Sequence, residues 1–305
     1  MTPKSDRQDN GPRASMKRPV FWDGLLAIFQ ADSPFLCSCL LLLSFFIGAA
    51  GCQIADIRPA EVIRKGISTE DRIRGRHLLE RVVFAYELSR KKTEKLHRQK
   101  MTVIFRERWH AWLPALFNKP FPEESDVELS FVRDEPGIQF RIRKGPWLSL
   151  QGRWNGKTLS LSNRSSVKVQ ESLLSKRRLS FHARAKRFFF ELPFNLRNFR
   201  VVAKMGDTTI EGRRYHRLFL SNTLAPDPDQ DQFIAYLDPR SFRLDILHYT
   251  IRELGGRFTG AISFSDFRNV DGILFPFTGK IHWTPGGKEI VHEYRIRSVK
   301  FENPA

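Results

Sequence analysis

Of the side chains able to do chemistry, Cys52 stands in the most specific surroundings. It closes the apolar run Leu40-Leu41-Leu42-Leu43-Ser44-Phe45-Phe46-Ile47-Gly48-Ala49-Ala50-Gly51. Small residues occupy the three positions before it. Lys17 and Arg18 precede the run, just after an internal Met16 that offers a second start besides Met1. A positive segment, an apolar segment and a small-residue junction are the parts of a bacterial secretory signal with its cleavage site. The other reading is an anchor that is never cut. No charge lies between Asp32 and Asp56, and about 20 apolar residues suffice to cross a bilayer. Both readings put the rest of the chain on the far side of a membrane.

The junction is similar to the lipobox of bacterial lipoproteins, although Ala49 stands where Leu is usual. That resemblance implies that Cys52 is the lipid attachment site and the mature N-terminus, with residues 1–51 a signal peptide. Gln53 comes directly after it, and a residue other than Asp there favours the outer membrane over the inner one. The expected setting is a lipid-anchored protein facing the periplasm.

Catalysis has no comparable signal. The cysteines are Cys37, Cys39 and Cys52, so beyond Cys52 there is no thiol nucleophile, no disulfide and no cysteine zinc site. His-Glu-x-x-His, Gly-x-Ser-x-Gly and Gly-x-x-x-x-Gly-Lys-Ser/Thr are all absent. Eight histidines are scattered along the chain. His282 and His292 fall on neighbouring predicted strands and could approach each other, but the spacing names no third ligand. Glu123-Glu124-Ser125-Asp126 reads as a solvated acidic loop. The expectation is a protein that is not an enzyme and uses no cofactor or metal.

The net charge is +18, from 51 Lys and Arg against 33 Asp and Glu. Residues 1–51 hold five basic and four acidic residues, so the excess belongs to residues 52–305. Across a membrane the available polyanions are lipid headgroups and acidic polymers, and no nucleic-acid-binding signature accompanies the charge. A basic surface gains about 1 kcal/mol per Lys or Arg near an anionic bilayer. The plainer account is solubility. The densest basic run, Ser175 to Arg187, is the expected headgroup contact.

Periodicity and turn residues outline the elements that must position these side chains. Residues 52–67 read as a tether. Ser68 with Asp71 three residues on can cap a helix, and Leu79, Val82, Val83 and Tyr86 give it one apolar stripe over 69–92. Residues 101–106 read as a strand. Trp109, Trp112, Leu113, Leu116 and Phe117 cluster around Pro114, either as an interfacial loop or as a plug in the core. From residue 127 onward, alternation and turn signals predict strand after strand. Val127, Leu129 and Phe131 alternate, as do Ile138, Phe140 and Ile142. Asn155-Gly156 marks a hairpin. Phe188, Phe190 and Leu192 also alternate, with Pro193 closing a predicted strand. The clearest strand carries Ile273, Phe275, Phe277, Gly279, Ile281 and Trp283 at every second position. A last strand carries Ile290, His292, Tyr294 and Ile296, then shifts phase into Val299 and Phe301. The fold class is therefore mainly β: a curved antiparallel sheet or incomplete barrel covered by the N-terminal helix.

Three stretches carry a further resemblance: Tyr236-Leu237-Asp238-Pro239-Arg240-Ser241-Phe242, Phe264-Ser265-Asp266-Phe267-Arg268-Asn269-Val270-Asp271-Gly272-Ile273-Leu274-Phe275-Pro276 and Arg295-Ile296-Arg297-Ser298-Val299-Lys300-Phe301. They are similar to the C-terminal half of the outer-membrane lipoprotein carrier (LolA/LolB-like) superfamily. The resemblance implies one domain over 68–302, an incomplete barrel with helices across its opening and an apolar cavity between. It also implies binding of lipid or lipoprotein acyl chains. The residues expected to line that cavity are Phe188, Phe190, Leu192, Ile273, Phe275, Phe277, Ile281 and Trp283, with Gly279 leaving room for a chain. The alternative is a structural or interaction lipoprotein whose cavity is filled by some of its 26 Phe. Expected partners are acyl chains, the membrane surface and, in the alternative, an envelope protein.

Overall fold

The computed structural model describes residues 54–86, 94, 96, 98–110, 124–144, 148–163 and 173–303. Cys52 and Trp112 to Phe117 lie outside the described residues. The described residues include the α-helices α1 (Ala60–Lys65), α2 (Thr69–Ala85) and α3 (Leu173–Asn195). The strands are β1 (Lys100–Trp109), β2 (Glu124–Val132), β3 (Ile138–Lys144), β4 (Leu150–Trp154), β5 (Leu159–Asn163), β6 (Val201–Ile210), β7 (Arg213–Ser221), β8 (Phe233–Leu237), β9 (Leu244–Ile251), β10 (Phe258–Val270), β11 (Ile273–His282) and β12 (His292–Glu302).

All twelve strands form one sheet in the order β5-β4-β3-β2-β1-β12-β11-β10-β9-β8-β7-β6, and neighbours run antiparallel. Two meanders join where the first strand pairs with the last. The sheet is not closed: β5 and β6 are its edges. The phase shift read in the last strand is a β-bulge. Ile104 faces Ser298 and Phe105 faces Ile296, which leaves Arg297 unpaired between them. Asp271 and Gly272, both with positive φ, make the tight β10–β11 turn.

α2 starts where its sequence predicts and ends at Ala85 with Tyr86 as its C-cap, while residues 87–92 of the predicted helix lie outside the described residues. Ser68 and Asp71 close a reciprocal capping box, and Leu78, Leu79, Val82 and Val83 are buried. Gly75 lets the helix approach β6, because a Cβ there would lie 2.6 Å from the Ala203 backbone. Residues 54–67 lie against the sheet rather than hanging free. Ile57, Val62 and Ile67 pack on a second core of Val201, Ala203, Met205, Tyr215, Phe219, Ile234, Tyr236, Ile246 and Ala261.

The strand predicted over Phe188 to Leu192 is a helix. Phe188, Phe190 and Leu192 sit on α3, not on a strand. Leu179, Ala183, Lys186, Phe190 and Phe194 are buried at spacings of three and four, so the true period is helical. The inward Lys186 and His182 broke the apolar stripe and hid that period. Residues 173–195 contain no Val, Ile, Thr or Gly, which favours a helix but was outweighed by the alternation of three side chains. Pro193, read as closing a strand, falls in the last turn of α3. The element filling the sheet is therefore α3, while α2 covers the β6 edge.

α3 also reveals the curl of the sheet. Arg184 lies over the Trp154 ring of β4 at 5.5 Å, and one turn along Phe188 stacks on Phe233 of β8 at 5.0 Å. Those strands are eight places apart in the sheet order, about 38 Å in a flat sheet. A helix is only about 10–12 Å wide. The sheet must wrap round it.

Candidate functional site

The wrapped face is built of alternate residues from each strand. Met101, Val103 and Phe105, then Leu129 and Phe131, Ile138 and Phe140, Ile273, Phe275 and Phe277, and Tyr294 and Ile296 join one core with α3. Phe190 meets Phe105 and Tyr294 edge-on at 5.2 and 5.3 Å. Of the residues expected to line a cavity, Phe190, Leu192, Ile273, Phe275, Phe277 and Ile281 are buried in this core. Phe277 also borders a hollow of about 400 Å³ lined mostly by polar side chains, among them Asp266, Arg268, Lys280 and Arg295. Trp283 lies beyond the end of β11 and is 42% exposed. The gap expected at Gly279 is filled: its cross-strand partner is Tyr294, and a Cβ would strike that ring. Gly152 and Phe140, and Gly260 and Tyr249, repeat the arrangement on other strand pairs. In each, an aromatic ring covers a strand glycine.

Open space lies at the flank of α3. A pocket of about 450 Å³ is lined by the β2–β3 turn (Arg133 to Pro136), Ile138, Trp154 and the α3 residues Arg184, Arg187, Phe188 and Glu191. Phe188 is the expected ligand residue that borders it. Ile138, Trp154 and Phe188 make its apolar wall. The Arg133 side chain is 1% exposed. It donates from Nη2 to Asn195 at 3.3 Å, lies over Phe194 at 4.3 Å, and its Nε is 3.9 Å from Glu191. Its Nε and Nη1 meet no hydrogen-bond acceptor among the described residues. A desolvated guanidinium with spare donors beside an apolar wall suits an oxygen-bearing head on an apolar tail.

Arg187 holds α3 in place. Its Nη1 donates to the Glu135 carbonyl at 2.7 Å, its Nη2 to the Arg133 carbonyl at 2.7 Å, and its Nε to Glu191 at 2.9 Å. The basic run read as a headgroup contact is thus divided: Arg177 is exposed and Lys176 and Arg178 are half-buried, while its second half turns to the protein. His182 and Lys186 are buried, Arg187 caps the β2–β3 turn, and Arg184 pairs with Glu253 at 2.7 Å.

Lys186 belongs to a polar cluster that no motif announced. Its Nζ lies 2.5 Å from Glu107 of β1 and 2.7 Å from His292 Nε2 of β12. The same Nε2 is 3.1 Å from Glu107. It therefore either accepts from the ammonium or donates to the carboxylate, not both. Trp109 stacks on His292 at 4.2 Å and meets His182 edge-on at 5.4 Å. Burial disfavours the Glu107 carboxylate, but Lys186 and His292 outweigh it and hold the carboxyl well below its ordinary range. Burial and the Lys186 charge push His292 down to about 4. Burial pushes His182 down to about 3 and lowers Lys186. The signal for this cluster lay in residue types at inward positions of β1, α3 and β12. Their meeting needed the tertiary fold.

His282 and His292 do not come together. His282 bonds Ser263 at 3.2 Å and the Glu289 carbonyl at 3.0 Å. No cluster of three or more metal-ligating side chains occurs among the described residues. The expected acidic loop opens β2 instead, where Asp126 pairs with Arg106 at 2.9 Å and Arg297 at 3.1 Å.

The chain is thus a mainly β protein whose open antiparallel sheet wraps a helix. Solved structures similar to it include a LolA superfamily protein from Nitrosomonas europaea, at 11% identity over 76% of this chain and 94% of that one, TM-score 0.44. A DUF1329 family protein from Desulfovibrio piger is similar at 7% over 76% and 94%, TM-score 0.42. An outer membrane lipoprotein-sorting protein domain from Vibrio parahaemolyticus is similar at 11% over 68% and 86%, TM-score 0.38. No family model and no curated protein matches the chain.

Proposed function

We propose that this chain is a non-enzymatic, membrane-anchored protein of the cell envelope that binds an acyl chain at the flank of α3. The observation that carries the reading is the pocket beside Arg133. It joins an apolar wall of Ile138, Trp154 and Phe188 to a buried guanidinium with spare donors. An acyl tail would lie along the wall and toward the seam between α3 and the sheet, each buried CH₂ contributing about 0.8 kcal/mol. The carboxylate or ester oxygen would meet Arg133. The test is titration of the detergent-extracted, delipidated chain with a fluorescent fatty acid. Saturable binding is expected, weakened about tenfold by Phe188→Ala.

A second reading is favoured by the packing of the wrapped face, where Phe189, Phe190, Leu192 and Phe194 fill the space between helix and sheet. In that reading the chain presents its outer surface to an envelope protein. Absence of fatty-acid binding would decide for it.

A further inference from the structure

The first described residues are fastened to one end of the sheet. Ala55 N–H donates to the Gly256 carbonyl at 2.8 Å. The buried Arg252 reaches back from its Nη2 to the Ala55 carbonyl at 2.7 Å and from its Nη1 to Gly256 at 2.9 Å. Ile57 N–H donates to Gln232 at 3.1 Å. Arg58 reaches the Leu224 carbonyl at 2.8 Å. These bonds tie residues 55–58 to the β7–β8 and β9–β10 loops. These loops and the first residue of β10 carry three of the exposed large apolar side chains: Leu224 at 51%, Leu254 at 47% and Phe258 at 54%.

Chain length then limits where a membrane can be. Only Gln53 and Ile54 lie between Cys52 and Ala55, three Cα steps with a reach of at most about 10 Å. We propose that the β7–β8 and β9–β10 loops rest on the bilayer, with Leu224, Leu254 and Phe258 entering its headgroup layer. The proposal rests on the anchor reading of the residues before Ile54, and it holds for a lipidated Cys52 and for an uncleaved span alike. A flexible tether would let the domain tumble; this fastened segment fixes which end faces the lipid. Three apolar side chains add little binding strength alone, but the anchor makes their contact intramolecular, so a weak preference suffices to orient the domain. The two loops carry Asp227, Asp229, Asp231 and Glu253 against Arg252 and Arg257, so charge does not draw them to an anionic surface and the contact is apolar.

The test uses the full chain with Cys37→Ser and Cys39→Ser, reconstituted into phosphatidylethanolamine–phosphatidylglycerol vesicles that contain doxyl-labelled phosphatidylcholine. Leu224→Cys, Leu254→Cys and Phe258→Cys are each labelled with an environment-sensitive fluorophore. Lys157→Cys, in the β4–β5 turn toward the other edge of the sheet, is the control. Quenching by the doxyl lipid is expected at 224, 254 and 258 and not at 157. Equal quenching at all four positions, or none at the three while the chain co-sediments with vesicles, overturns the docking and leaves the anchor standing. A chain that does not co-sediment overturns the anchor reading and the docking with it.

Discussion

At the scale of single residues, the polar cluster under α3 and the thiol at Cys52 carry the sharpest expectations. Glu107 and Lys186 are both nearly inaccessible to water. Removing one partner strands the other charge in the core, so Lys186→Met is expected to cost about 3–5 kcal/mol in chemical unfolding. The double change Lys186→Met with Glu107→Leu removes both charges and is expected to recover most of that loss. A double variant as unstable as the single one would mean that the ion pair is not what Lys186 contributes. The buried histidines give a pH dependence. His182, His248 and His292 are held near 3, 4 and 4 in the folded chain, against about 6.5 unfolded. The unfolded chain therefore binds more protons, and stability falls as pH drops from about 6.5 toward 4, by up to about 1.4 kcal/mol per pH unit for each histidine. Urea midpoints measured across that window would show it; flat midpoints would place these rings in contact with solvent. At Cys52, incorporation of a clickable fatty acid is expected in the chain and lost in Cys52→Ser. Equal labelling of the two would exclude the thiol as the attachment point.

At the scale of elements, α2 separates buried from exposed apolar residues cleanly. Leu79 is buried and Phe84 is 86% exposed on the same helix. Leu79→Ala is expected to cost about 2–5 kcal/mol, whereas Phe84→Ala should stay within about 0.5 kcal/mol. Comparable losses from both would mean that the helix docks through another face. This element was legible because one-sided burial, a capping box and a helical stripe all agree. α3 was not. Phe188, Phe190 and Leu192 satisfy a period of two, and a stripe completed by Lys186 and His182 does not look like an inward face until Glu107 and His292 are placed opposite. The Phe-rich row of β11 was legible as a strand, but its role as packed core depended on the Tyr294 ring over Gly279, which belongs to the next strand.

For the whole molecule, local patterns determined a great deal. Alternation and turn residues specified the strands from Val127 to Ile142 and from Ile273 to Phe301, the Asn155-Gly156 turn and the phase shift after Ile296. Each depends on neighbours within a few residues, so sequence expresses it directly. Within each hairpin the antiparallel pairing follows from its short turn. What sequence could not determine is what comes together across long separations. The pairing of β1 with β12, the wrapping of twelve strands around α3, the Glu107–Lys186–His292 cluster and the bonds from Ala55 to Gly256 join residues far apart in the chain. Side-chain periodicity records which face of an element is apolar, but not which other element covers it. That choice is made by the shared burial of both surfaces, and only the tertiary structure expresses it.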